Sequence, residues 1–378
     1  MLESASEIVD QVGPIVSFNP LAYGANLAML NSGSSVGVVA ISVDNSGAHT
    51  TAQEVLELQE VYSVVPLSQT NGGLYAGHVT TQSQPANKKE RILWVNSTVD
   101  YSSGVKSTIA TAVQSASATI ANFRVFNTHP DVVYIRETRH LSTLRTAFMQ
   151  AVFGAGFTFN ALFANDTTVS GVKYKAGTEI TQTILTAMLA DADTFGSFFE
   201  VLAPAPGYYY NCVEAGRVAA KTPEQPLTNS GGVGLTRIYR SNTYFTETHL
   251  NTMAAGGTYV FVQDSPSSGI YVRHQLSTDN SSIIARELSI TTTRDYVAKL
   301  LRNSCKPYIG RFNITDSFIA LLNTVLVGSS MFLKRNGYVK DLKIKSVVQD
   351  TINPDTVLVE VELLPYYPAN YIKIQIVI

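Results

Sequence analysis

The stretch "PANYIKIQIVI" (Pro368–Ile378) decides how the architecture is read. Ile372, Ile374, Ile376 and Ile378 fall on one face of an extended chain. Lys373, Gln375 and Val377 fall on the other, after Tyr371. Strict alternation with β-branched residues marks a strand. A terminal segment frays unless something ties it down. The strand therefore pairs either inside its own domain or with the sheet of another molecule.

The rest of the composition suits a molecule with covered surfaces. The 378 residues suffice for one large domain or two to three ordinary ones. Hydrophobic residues make up 45% and charged residues only 15%, a low charge for a free monomer and a fitting one for a surface largely shielded by partners. The net charge of −2 gives no general attraction to nucleic acid or anionic membrane. Cys212 and Cys305, with no CxxC, argue against a disulfide scaffold and against the usual zinc site; a reduced compartment is the default, with a single bridge left open. "MLESASEIVDQVG" is acidic and lacks a signal-peptide hydrophobic stretch, and no run of 18 apolar residues is present, so no membrane insertion is expected.

Along the chain, strand and helix patterns alternate. "VGVVAISVD" (Val36–Asp44) reads as a buried strand, "AQEVLELQEV" (Ala52–Val61) as an amphipathic helix, and "YSVVPLS" and "RILWVN" as strands. "VKSTIATAVQSASATI" is a helix pattern, and "FRVFNTHPDVVYI" supplies one or two more strands. From His140 to about Pro206 come two helix-like stretches, "HLSTLRTAFMQAVFGAG" and "EITQTILTAMLADADTFGSFFEVL", with the turn-rich "NDTTVSGVKYKAGT" between them. "APAPG" (Ala203–Gly207) reads as a linker because proline and glycine break regular structure. "GTYVFVQD" and "GIYVRHQLSTD" are further strands. "TTRDYVAKLLRNSCKPYIG" reads as a helix capped by Thr292 or Thr293, with Asp295 in its first turn. A second helix starts near Thr315 and ends at Gly337, and "LKIKSVVQD", "TVLVEVELLP" and "YIKIQIVI" close the chain as strands. The fold class is α/β (α+β): a mixed sheet flanked by helices, with an inserted unit.

No stretch makes a persuasive active site. "GGVGL" (Gly231–Leu235) lacks the GxxxxGK[ST] pattern and reads as a turn. "RHQLSTD" (Arg273–Asp279) holds His, Ser and Asp, but neighbours on one strand alternate faces and do not converge as a triad. The six histidines show no HxxxH or HExxH spacing, so no metal and no cofactor is expected. Asp191 and Asp193 do not face each other on a helix. Lys334, Arg335, Lys340, Lys343 and Lys345 cluster at a helix end and on the next strand. They read first as a solvated face and second as a dock for an acidic protein.

Several stretches, in order, resemble the core domain of contractile tail sheath proteins of phages and related injection particles. They are "NPLAYGANLAMLNSG" (Asn19–Gly33), "LELQEVYSVVPLS", "YYYNCVEAGRVAAKTPEQPLTN", "GLTRIY", "LNTMAAGGTYVFVQD", "YVRHQLSTD", "DYVAKLLRNSCKPYIGRFNIT" and "INPDTVLVEVELLPYYPANYIKIQIVI". They cover most of Asn19–Leu67 and Tyr208–Ile378. The resemblance implies residues 1–137 and 207–370 as two parts of one sheath core domain. It implies 138–206 as a helix-rich, outward-facing insertion and 371–378 as a strand donated to a neighbouring subunit. Sheath chains usually carry an N-terminal arm before this core, so a fragment or an unusually short chain is expected here. The resemblance further implies a non-enzymatic helical homo-oligomer around a tail tube protein, bounded by baseplate and tail terminator proteins, in a virion assembled in the host cytoplasm. Contraction from a metastable extended state would drive the tube through the host envelope. Lys334, Arg335, Lys340, Lys343 and Lys345 would then be the tube-facing candidates. The alternatives are a non-contractile strand-exchanging scaffold or tube protein and, less expected, an α/β enzyme with a lid.

Overall fold

The computed structural model describes residues 2–16, 19–33, 37–43, 49–70, 72–140, 161–190, 198–238, 244–265, 267–370, 372, 374 and 375. Near the start, α1 (Ala5–Gln11) and α2 (Pro20–Ser32) are each capped by their own sequence. Ser4 Oγ accepts from Glu7 N at 3.3 Å; Asn19 Oδ1 accepts from Ala22 N at 3.4 Å, with Pro20 opening α2. The strand expected over Val36–Asp44 is not formed. Its described part is half-buried coil with one bridge, Val38 to Leu2, because no neighbouring strand completes a ladder there.

Next come α3 (His49–Glu57), β1 (Ser63–Val64), α4 (Tyr75–Gln82), β2 (Ile92–Asn96), α5 (Lys106–Ala118) and β3 (Val125–His129). Then β4 (Val132–His140) leaves the central sheet. It leads through β5 (Leu162–Phe163), β6 (Thr167–Val169), β7 (Val172–Tyr174) and α6 (Gln182–Ala190) to β8 (Phe198–Pro206). The chain returns through α7 (Tyr208–Ala220), β9 (Arg237–Ile238), α8 (Glu247–Ala255), β10 (Thr258–Val262) and β11 (Tyr271–His274). It finishes with α9 (Ile283–Arg286), α10 (Leu288–Cys305), α11 (Asp316–Arg335), β12 (Asp341–Gln349) and β13 (Val357–Leu364).

The central sheet has the order β1-β2-β3-β10-β11, parallel except for β11. Strands β2, β3 and β10 are buried along their whole length, which is why β2 and β10 read as largely apolar runs. Alternate side chains separate onto the two faces. Trp94, Phe126, Tyr259 and Phe261 meet Leu27 of α2 and Tyr209 and Val213 of α7. Val260 and Val262 meet Ile109 and Val113 of α5 and Leu250 and Met253 of α8. Helices α2 and α7 pack at backbone distance: a Cβ on Gly216 would lie 2.2 Å from the carbonyl oxygen of Ala28.

The stretch between β4 and β8 corrects two expectations. Phe198–Pro206 is a strand, not the end of a helix; only Gln182–Ala190 of that stretch is helical among the described residues. "APAPG" is not a linker: Ala203–Pro206 continue β8, paired with β4 from His140↔Phe198 to Val132↔Pro206. Pro204 and Pro206 lie beyond β8's pairing with the short β5, where a missing N–H is tolerated. The helix expected over "HLSTLRTAFMQAVFGAG" lies, beyond His140, outside the described residues, as do Asp191 and Asp193. The turn-rich stretch forms the β6–β7 hairpin, with positive φ at both Ser170 and Gly171, the primed turn that hairpins favour. Phe163, Val169, Ile184, Met188 and Val201 form a core of their own.

Helix α10 also starts earlier than expected. Thr292 and Thr293 are buried inside it, their hydroxyls donating to the carbonyls of Leu288 and Ser289 at 3.1 and 2.7 Å. Asp295 therefore does not lie in the first turn. It takes both Arg124 nitrogens at 2.8 Å and the Tyr62 hydroxyl at 3.0 Å, bolting α10 to the edge of the central sheet.

Candidate assembly interface

The last quarter of the chain is where apolar surface is left open. Helix α11 begins as its sequence predicts: Thr315 Oγ1 accepts from Phe318 N at 3.3 Å, Asp316 sits in the first turn, and Lys334 and Arg335 sit in the last. Gly337 follows at φ 73°. One face of α11 is buried: its Leu326 and Leu333, with Val339 after the helix and Leu342 of β12, meet Val297 and Leu301 of α10. The other face exposes Leu321, Met331 and Phe332, and the turn before α11 adds Ile309 and Phe312. By length and composition alone Asp316–Arg335 could cross a bilayer, a feature the search for an unbroken 18-residue apolar run does not register. Its polar residues have local partners: Thr324 and Ser329 donate to carbonyls four residues back, and Ser330 donates to Leu342 O. An amphipathic helix with one covered face fits these contacts.

Strands β12 and β13 form a hairpin on their own, in register from Asp341↔Leu364 to Gln349↔Val357, with an irregularity between Ile344 and Ser346. Among the described residues this sheet has two strands, so both of its outer edges carry unpaired backbone groups. An isolated two-stranded hairpin is marginal and an open edge invites a third strand. Val348, Leu358, Val359 and Leu364 are exposed on it.

After β13 the chain runs as coil past exposed Tyr366 and Tyr367 to Asn370. Asn370 Nδ2 donates to Glu287 Oε1 at 3.0 Å, fixing the tail to the start of α10. Ile372 and Ile374 follow, 84% and 83% exposed and in no ladder. Tyr371, Lys373, Ile376, Val377 and Ile378 of the expected strand lie outside the described residues.

The five basic residues divide. Lys334 and Lys343 reach Asp341 at 3.3 and 3.9 Å, and Lys345 reaches Glu362 across the hairpin at 2.6 Å. The Lys334 bond holds the Asp341 carboxyl below its usual range. Arg335 and Lys340 are exposed, with no ion pair among the described residues. Exposed pairs of this kind contribute little on their own and can be exchanged for partners elsewhere.

The residues read above as weak chemical candidates are structural. His274 Nε2 meets Glu287 Oε1 at 2.8 Å in the interior, Ser277 Oγ donates to Ala285 O at 2.9 Å, and Arg273 turns outward to Glu247 and Asn251. "GGVGL" is a close-packed loop, since a Cβ on Gly232 would lie 2.2 Å from Val213 Cγ1. No cluster of three or more metal-ligating side chains occurs among the described residues. Sequence reasoning missed the Arg124–Asp295–Tyr62 bolt and the Asn370–Glu287 tether. Both join residues far apart in the chain, and no local pattern marks them.

No family model matches the sequence, and no curated protein does. Solved structures do match. A sheath complex of an extracellular contractile injection system, PVC, in its contracted state aligns over 100% of this chain and 85% of its own, at 11% identity and TM-score 0.60. A chain of the anti-feeding prophage baseplate aligns over 96% of this chain and 80% of its own, at 11% identity and TM-score 0.54. A sheath tail protein of Desulfitobacterium hafniense aligns over 88% of this chain at 6% identity and TM-score 0.47; the present chain spans 65% of its length. The chain has the mixed α/β fold of contractile sheath subunits, as the resemblance implied.

Proposed function

We propose that this chain is a subunit of a contractile helical sheath. The observation that carries the reading is the β12–β13 hairpin, two-stranded among the described residues, followed by an alternating tail in which Ile372 and Ile374 stand open to solvent. A tail of one subunit, Tyr371–Ile378, adds to the hairpin edge of the next. Burying its four isoleucines contributes roughly 6–12 kcal/mol at about 1.5–3 each. Ordering its eight residues costs roughly 8–16 kcal/mol at about 1–2 each. Ladder hydrogen bonds and the apolar face of α11 must tip that balance, so the strand forms on its partner. Contraction in this reading is a passage between two packings of one sequence and needs no nucleotide.

The sheath surrounds a tail tube protein and ends on baseplate and terminator proteins, within a phage tail or injection particle assembled in the host cytoplasm. Residues 138–206 form the outward insertion between the core parts 1–137 and 207–370. Lys334, Arg335, Lys340, Lys343 and Lys345 face an acidic tube, where three of them exchange surface ion pairs for tube carboxylates. Reversing these charges should impair assembly on tubes while leaving the free subunit folded; unchanged assembly rejects the tube-facing role.

Negative-stain electron microscopy of the whole chain beside one lacking residues 371–378 tests the core of the proposal. Striated tubes from the first and monomers from the second are expected. Tubes from both would reject strand donation. A single helical state under every condition would favour a non-contractile scaffold.

A further inference from the structure

A pocket of about 260 Å³ opens on the core domain, away from the hairpin. It lies between the chain entering β1, the turn before β2, the end of α7 and the first half of α10. Tyr62, Val218, Pro223 and Tyr296 supply its apolar wall. Its carboxylates are already engaged. Asp295 holds Arg124, Glu90 holds Arg302, and Glu60 lies 3.7 Å from Lys299. Its other cations are not balanced in this way: no carboxylate lies within ion-pair distance of Lys221, Lys88 or Lys89 among the described residues.

Lys221 is the centre of the imbalance. Its Nζ donates to Gln225 O at 2.8 Å, Thr292 Oγ1 at 3.1 Å and Pro223 O at 3.2 Å. Three acceptors match the three hydrogens of an ammonium; a neutral amine has one fewer. The site is thus built for a cation, yet the oxygens that touch it are neutral, and Glu224 and Glu214 act on it only through space. A cation withdrawn from water calls for an opposite charge. Beside it Lys88 holds φ at 58°, a conformation uncommon for a residue with a side chain and frequent at functional sites.

We infer that this pocket binds a small oxyanion, a phosphate or carboxylate group, with Lys221 as its fixed charge and Lys88, Lys89 and Gln59, which share the lining, as its further donors. The inference stands apart from the assembly reading, since none of these residues belongs to the hairpin or the tail. It predicts a pH dependence. Burial draws Lys221 down to about 7, while Glu224 and Glu214 on its own segment pull it up and Arg217 pushes it down. From the other walls, Asp295 is neutralised by Arg124, and Glu60 and Glu90 sit beside Lys299 and Arg302. An anion favours the ammonium, so affinity is fullest below the midpoint. It falls about tenfold one pH unit above it.

Thermal denaturation of the whole chain with added sulfate or succinate, one pH unit below and one above that midpoint, tests this. Sulfate keeps its charge across the range. It also stabilises proteins generally by exclusion from their surface, but that part is shared by variants. A wild-type Tm increment that shrinks at the higher pH and is lost in Lys221→Met is expected. Response to sulfate alone assigns the site to phosphate groups, and to succinate alone to carboxylates. Equal increments in wild type and variant overturn the inference. If Lys221→Met does not fold, the double substitution Lys88→Gln/Lys89→Gln must reduce the increment several-fold, and failure to do so overturns it equally.

Discussion

Replacing Ile372 and Ile374 by aspartate separates the two places where the tail could pair. In the single chain both side chains stand in solvent, 84% and 83% exposed, and the substitution removes no packing. Surface changes of that kind usually stay within about 0.5 kcal/mol. In a neighbour's sheet each isoleucine would be covered, contributing about 1.5–3 kcal/mol, so the pair contributes roughly 3–6 kcal/mol per contact. At about 1.4 kcal/mol per tenfold, each subunit contact should weaken by roughly two to four orders of magnitude. A charge facing an apolar hairpin adds to that cost. The assay pairs sedimentation velocity, which reads assembly, with thermal denaturation of the monomer fraction. The double variant should keep the wild-type monomer Tm and fail to form large particles. A monomer Tm that falls while assembly survives would refute the reasoning, because the strand would then be packing inside its own domain.

Other expectations concern the core. Asp295→Ala strands the buried Arg124 fork and the Tyr62 hydroxyl, and should cost about 3–5 kcal/mol in urea denaturation. Gly216→Ala drives a methyl group against the carbonyl of Ala28, forcing α2 and α7 apart; a loss of about 1–3 kcal/mol in the same assay is expected. His129 is buried with neither ring nitrogen hydrogen-bonded, and burial holds its imidazole down to about 3. The unfolded chain takes up that proton near pH 6.5, so stability falls as pH drops from there toward 3. In His129→Leu the urea midpoint should decline less over that window.

The parts of the fold legible in the sequence are those specified locally. "ILWVN" and "TYVFV" are apolar at all but one position each because both faces of their strands are covered, and Thr315 with Gly337 brackets α11 by its own chemistry. The misreadings have physical causes. "FFEVLAPAP" carries two prolines that propensity counts as breakers, yet β4 pairs with it along its length. Thr292 and Thr293 look like caps, but their hydroxyls can as well bond back to carbonyls four residues earlier, and here they do. Val36–Asp44 has a strand's composition, and among the described residues its part 37–43 pairs only through the Val38–Leu2 bridge. The alternation of the tail is plain in the sequence, while the pocket around Lys221 stayed hidden because its walls come from four separate stretches.

The bond between Asn370 and Glu287 turns the tail into a leash with a fixed post. An extended chain advances at most about 3.3–3.6 Å per residue, so Ile374 travels no farther than about 13–14 Å from Asn370. In the sheath proposed above, the edge that receives it would have to stay inside that radius whatever angle the two bodies adopt. Neighbours joined in that way would swivel about the post without drifting apart, and a lattice of them would change its pitch without losing its connectivity.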